Sequence, residues 1–143
     1  MFDFFNKETK KNIDDPLVKI AALLVHVAKV DENYTEKEKN IIRKAIVELG
    51  SKNELSNNIL KEAEEIEKNS NQILDFTKEV KNLDEDSKIK IIEILWKIVY
   101  SDNNSDMYEN SLMRRLSGLL YLDPKIAGDI KKRVKNSFIS NRI

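Results

Sequence analysis

The chain contains no cysteine, so redox chemistry through thiols is excluded, and the composition fits a reducing compartment. Glycine and proline are scarce, at three and two residues in 143. Few positions can interrupt helices, and an all-α fold is expected. Charge of a dominant sign is lacking too: 25 basic side chains face 25 acidic ones, which argues against a dedicated binder of nucleic acid or other polyanions. No apolar run approaches the roughly 20 residues needed to cross a bilayer. The N-terminus lacks a signal-peptide pattern, so a cytoplasmic protein is expected. Histidine occurs once, as His26, with no Glu three residues before it. This excludes the Glu-x-x-His pairs of a carboxylate-bridged di-iron site. His26 shares a helical face with Lys19 and Lys29 and reads as a solvated surface residue.

Hydrophobic residues make up 41% of the chain and charged residues 35%, enough for a single domain over residues 1–143 with a sizeable core. The first segment sets Phe2, Phe4 and Phe5 beside a basic run. It is expected to pack on the domain, with a membrane-touching anchor as the alternative. Asp15 followed by Pro16 predicts a helix start, and the helix that follows is apolar nearly all round, so it should be mostly buried. Thr35 and Glu38 form a T-x-x-E capping box for a second helix, which Gly50 should end. Residues 56–68 and 71–82 predict two more helices that connect the halves of the chain. Asp84 caps a strongly apolar helix with Lys90, Glu93, Lys97 and Ser101 along one face. Asp106 and Glu109 repeat the cap, and Asp123 with Pro124 opens a basic closing helix to about residue 138. Seven helices are expected.

The stretch "DENYTEKE" at 31–38 reappears as "DNNSDMYE" at 102–109. A shift of 71 residues brings Lys19 onto Lys90, Leu24 onto Leu95, Asp31 onto Asp102, Asn33 onto Asn104, Glu38 onto Glu109 and Arg43 onto Arg114. Apolar matches are expected of any two amphipathic helices, so the polar set carries the weight. Two helix-loop-helix repeats follow, at about 16–50 and 87–122, joined by helices at about 55–83. They are expected to pack on one another about a pseudo-twofold axis.

Each loop offers a hard cation such as Ca²⁺, Mg²⁺ or Mn²⁺ an Asp carboxylate, an Asn amide oxygen, a cap oxygen and a Glu carboxylate. The candidate ligands are Asp31, Asn33 and Glu38, then Asp102, Asn104, Asp106 and Glu109. The spacing differs from an EF-hand, whose twelfth-position Glu would fall at Ile42 and Met113. Any site is therefore shorter, completed by backbone carbonyls and water, and weak. The alternative is that Glu38 and Glu109 only close capping boxes, each contributing about 0.3–1 kcal/mol at a positive helix end. Capping alone leaves the repeated Asp and Asn residues unexplained except as loop formers.

From "LVKIAALLVHVAKVDENYTEKEKNII" through "IIEILWKIVYSDNNSDMYENSLMRRLSGLLYLD", the chain resembles the tellurite-resistance TerB-like family of bacterial helical domains. The second stretch is the more specific, with its Leu-Trp pair, the Tyr before the Asp loop, the Tyr-Glu pair and the double Arg. The resemblance implies a compact fold of about seven helices and an acidic, cation-binding surface. It also implies protein partners in metal and stress resistance, some at membranes, which allows a peripheral place at the inner membrane. It matches Asp31 with Glu38, and Asp102 with Glu109, to the family's acidic pairs. Glu32 and Asn103 depart from the Gly that usually follows the Asp; Asn tolerates positive φ better than Glu does, so the first loop is the one expected to be distorted. The functional expectation is a non-catalytic, cation-binding module that docks on partner proteins. The alternatives are a metal-dependent hydrolase, for which the loops supply carboxylates but no nucleophile or histidine, and an ion-free interaction scaffold.

Overall fold

The computed structural model describes residues 16–29, 34–69, 74–101 and 107–141, with side chains at all of these except 74, 107–110 and 138–141. Among them are seven α-helices, one 3₁₀ turn at Asn53–Leu55 and no strand: α1 Pro16–Ala28, α2 Glu36–Glu48, α3 Ser56–Lys68, α4 Leu74–Lys81, α5 Glu85–Tyr100, α6 Met107–Leu119 and α7 Pro124–Asn141. The expected all-α class and helix count hold. α7 runs about one turn beyond its expected end near 138. The Phe-rich start, the Asp15 cap and the loop residues Asp31, Asn33, Asp102, Asn104 and Asp106 lie outside the described residues, as does the side chain of Glu109. No described helix is long and apolar enough to cross a membrane.

The chain forms two compact units, Met1–Glu79 and Val80–Ile143. In the first, α1 is the central element, with ten of its thirteen residues buried. It packs chiefly on α3 and also on α2. α3 is thus more than a connector, because its apolar side, Leu60 and Ala63, completes the core around α1. In the second unit α5 takes the corresponding place, burying Ile91, Ile92, Ile94, Leu95, Trp96, Ile98, Val99 and Tyr100. Its main neighbour is α7, with α6 packed on both. Ser101, expected on the polar face of α5, is buried instead, and its hydroxyl donates to the Ile98 carbonyl at 2.8 Å. Such back-bonding lets a hydroxyl leave water without an orphaned donor.

Local chemistry sets the helix ends. Asp84 accepts the Ser87 backbone N–H at 3.1 Å. Hydrogen bonding from Ser87, side chain first and backbone second, holds its carboxyl below the usual range. Asp123 accepts the Lys125 N–H at 2.9 Å, opening α7 beside Pro124. α2 ends at Gly50, whose φ is 128°. There the Gly50 N–H donates to the Val47 carbonyl and the Ser51 N–H to that of Ile46. This is the paired closure of a Schellman motif. The end of α6 repeats it: the Tyr121 N–H donates to Gly118 and the Leu122 N–H to Ser117. Here a tyrosine with φ 59° takes the place of glycine. Tyr121 is 74% exposed, and Lys81 Nζ lies 5.2 Å from its ring centroid. Contact with a cation offsets part of the cost of that backbone conformation.

Glycines in different places should respond in opposite directions. Gly128 sits inside α7, where an added Cβ would meet nothing within 4 Å. Gly128→Ala should therefore raise stability by about 0.5–1 kcal/mol. Gly50→Ala places a Cβ on a left-handed residue and should lower it by about 1–2 kcal/mol. Urea unfolding curves of the two variants beside the parent check both signs.

Candidate cation-binding loop

The first candidate loop lies between α1 and α2, and three side-chain arrangements fix its flanks. On the entry side, α1 brings His26 and Lys29, one turn apart, onto Glu67 of α3. His26 Nδ1 lies 3.1 Å from Glu67 Oε2, and Lys29 Nζ donates to Glu67 Oε1 at 2.8 Å. His26 is therefore not the freely solvated residue the helical pattern suggested: the only polar strip on α1 meets a carboxylate of the helix that covers it. Lys19, on the same strip, pairs with Glu79 at 3.7 Å.

On the exit side, Tyr34 donates its hydroxyl to Glu64 Oε2 at 2.6 Å. Burial raises the Tyr34 phenol far above its ordinary value, and the neighbouring Glu64, as hydrogen-bond acceptor and as negative charge, adds to the shift. Lys39 Nζ stands 5.0 Å from the Tyr34 ring centroid.

At the start of α2 the expected capping box is fully formed. The Glu38 N–H donates to Thr35 Oγ1 at 3.1 Å, and the Thr35 N–H donates to Glu38 Oε1 at 2.9 Å. Glu38 is only 2% exposed. A carboxylate at such depth persists because the backbone N–H and the positive end of α2 stabilise its charge. Farther along α2, Arg43 bonds Asn40 and Asn57 and pairs with Glu36 at 3.2 Å, tying α2 to the start of α3.

Of the sequence-derived ligands, Glu38 is the one whose side chain is described, and it stands at the loop edge. Among the described residues no three His, Asp or Glu side chains gather closely enough to hold an ion. Sequence reasoning missed Glu64 and Glu67, which look like ordinary surface charges on a highly charged helix. The signal was their spacing: each lies four residues after a core position, Leu60 and Ala63, and so borders the buried stripe of α3.

The second unit holds a feature that the loop motifs do not announce. A groove of about 490 Å³ opens among α5, α6 and α7, reaching Trp96, Met113, Gly118 and Gly128, with Arg114 and Lys131 on its lining. Trp96 is 5% exposed and stacks on Tyr100 with ring centroids 5.5 Å apart. Its indole N–H is buried with no hydrogen-bond partner among the described residues, a condition that costs about 1–3 kcal/mol.

The family model described as tellurite resistance protein TerB matches residues 17–132, most of the chain. Neither a curated protein nor a solved structure gives a match.

The Tyr34–Glu64 bond makes a prediction in alkali. Above about pH 10 the unfolded chain releases the phenol proton while folded Tyr34 keeps it, so stability must fall as pH rises. Tyr34→Phe should cost about 1–3 kcal/mol at pH 7, and its stability should then decline less than the parent's between pH 9 and pH 11. Urea unfolding at the two pH values measures both effects. Equal declines would show that Tyr34 is not held protonated.

Proposed function

The chain belongs to the TerB family of tellurite resistance proteins, and on that footing we propose that it is a non-catalytic helical module that binds a divalent cation. It would do so at the 31–38 and 102–109 loops while docking on partner proteins in a metal or oxidative stress response. The observation that carries this reading is Glu38, a carboxylate 2% exposed at the edge of a loop rich in oxygen ligands. Buried carboxylates are found hydrogen-bonded, ion-paired or bound to metal, and Glu38 combines the first with proximity to Asp31 and Asn33 in sequence. With Ca²⁺, Mg²⁺ or Mn²⁺ as the ion, the ligands would be Asp31, Asn33 and Glu38 in one loop and Asp102, Asn104, Asp106 and Glu109 in the other.

The non-catalytic reading follows from the loop composition, which supplies carboxylates but neither a nucleophile motif nor a histidine. Partners are read as proteins, with a cytoplasmic location or a peripheral one at the inner membrane. An ion-free scaffold is the second reading, and the complete Thr35–Glu38 capping box favours it, because the box explains Glu38 without a metal.

Thermal unfolding with millimolar Ca²⁺, Mg²⁺ or Mn²⁺, against chelator, separates the two. An ion that binds only the folded form stabilises it by about 2.7 kcal/mol at a hundred times its dissociation constant. Asp31→Asn and Asp102→Asn should leave the ion-free protein as stable as the parent and remove the ion's effect. Glu38→Gln and Glu109→Gln should also remove it while keeping a capping residue. Thr35→Ala should weaken the start of α2 by about 0.5–2 kcal/mol with or without ion. Calorimetric titrations in which all four acid variants bind Ca²⁺ like the parent would leave the scaffold reading standing.

A further inference from the structure

We propose that the groove among α5, α6 and α7 is a binding site for a small amphipathic carboxylate, an apolar chain or ring bearing one negative charge. Three independent features of the second unit converge on that chemistry. The groove has the volume of a small-molecule site, about 490 Å³. Its walls approach with little side-chain bulk, because Gly118 and Gly128 lie on two different helices, and a Cβ built at either meets nothing within 4 Å. Met113 and Leu122 supply apolar wall, suited to a hydrocarbon body.

Three polar groups at the groove favour an acceptor or an anion. The Trp96 indole N–H is buried and lacks an acceptor among the described residues. Lys131 Nζ stands 5.2 Å from the Trp96 ring centroid, and Arg114 joins it on the lining. Neither cation forms an ion pair with a described residue, whereas Arg133, also on α7, pairs with Glu93 at 3.7 Å. A carboxylate would meet two cations, and its oxygens are the acceptors an indole N–H requires. A neutral apolar compound would satisfy neither demand.

Trp96 is the only tryptophan in the chain, so it reports on this site without interference. Octanoate, kept well below its micellar concentration, is the probe, and octanol is its uncharged counterpart. Tryptophan emission and the single indole cross-peak in the ¹H–¹⁵N spectrum are followed on the full chain. Octanoate should change the emission saturably and move the indole proton downfield as it gains an acceptor. Octanol should bind at least about tenfold more weakly. Gly128→Leu should fill the groove and remove the octanoate response, while circular dichroism shows the helices intact. Arg114→Met and Lys131→Met, read separately, should each weaken octanoate and leave octanol unchanged. The proposal is overturned by equal binding of octanoate and octanol, by an unaltered response in folded Gly128→Leu, or by an indole peak that octanoate does not move.

Discussion

The burial of α1 is the constraint on which the first unit depends. A helix with ten of thirteen residues withdrawn from water leaves one narrow polar strip, and whatever covers the helix must answer that strip chemically. α3 does so with Glu67, taking both His26 and Lys29, and Glu79 takes Lys19. The same covering helix then offers Glu64 to Tyr34. Packing around one apolar helix therefore places two acids of α3 against the residues on either side of the loop.

What the sequence made legible was local. The capping box of Thr35 and Glu38, the Asp84 cap, the Asp123–Pro124 start and the Gly50 stop each depend on residues within a few positions of one another, and each is realised. The TerB resemblance likewise rests on contiguous stretches, and the family match covers residues 17–132. Features that depend on a partner helix were hidden. His26 looked solvated because helical periodicity shows which side of a helix is polar, without showing what faces it. Glu64 and Glu67 were invisible as anchors for the same reason. The left-handed turn at Tyr121 was unsignalled because a tyrosine at such a helix end contradicts the residue preference by which these ends are recognised. The groove beside Trp96 depends on three helices meeting, and no spacing along the chain encodes it. Of the candidate ligands only Glu38 can be judged by its surroundings, since Asp31, Asn33, Asp102, Asn104 and Asp106 lie outside the described residues, as does the Glu109 side chain.

Matching positions of α2 and α6 stand in different surroundings. α2 and α6 are offset by the 71 residues that align the sequence motifs, and both close with the same pair of backbone bonds. In each unit the central apolar helix packs mainly on the third helix of its set, α3 or α7. Yet Arg43 is absorbed into a network with Glu36, Asn40 and Asn57, whereas its counterpart Arg114 lines the groove. Two arginines related by the 71-residue shift thus lie against different groups among the described residues.

The depth of Glu38 bears on rates as well as on affinities. Its carboxylate is both the clasp of the first turn of α2 and almost wholly shielded from solvent. Those oxygens reach water only when that turn loosens, so their exposure is timed by fraying of the helix end. Amide exchange at the start of α2 would rise and fall with it under temperature or denaturant.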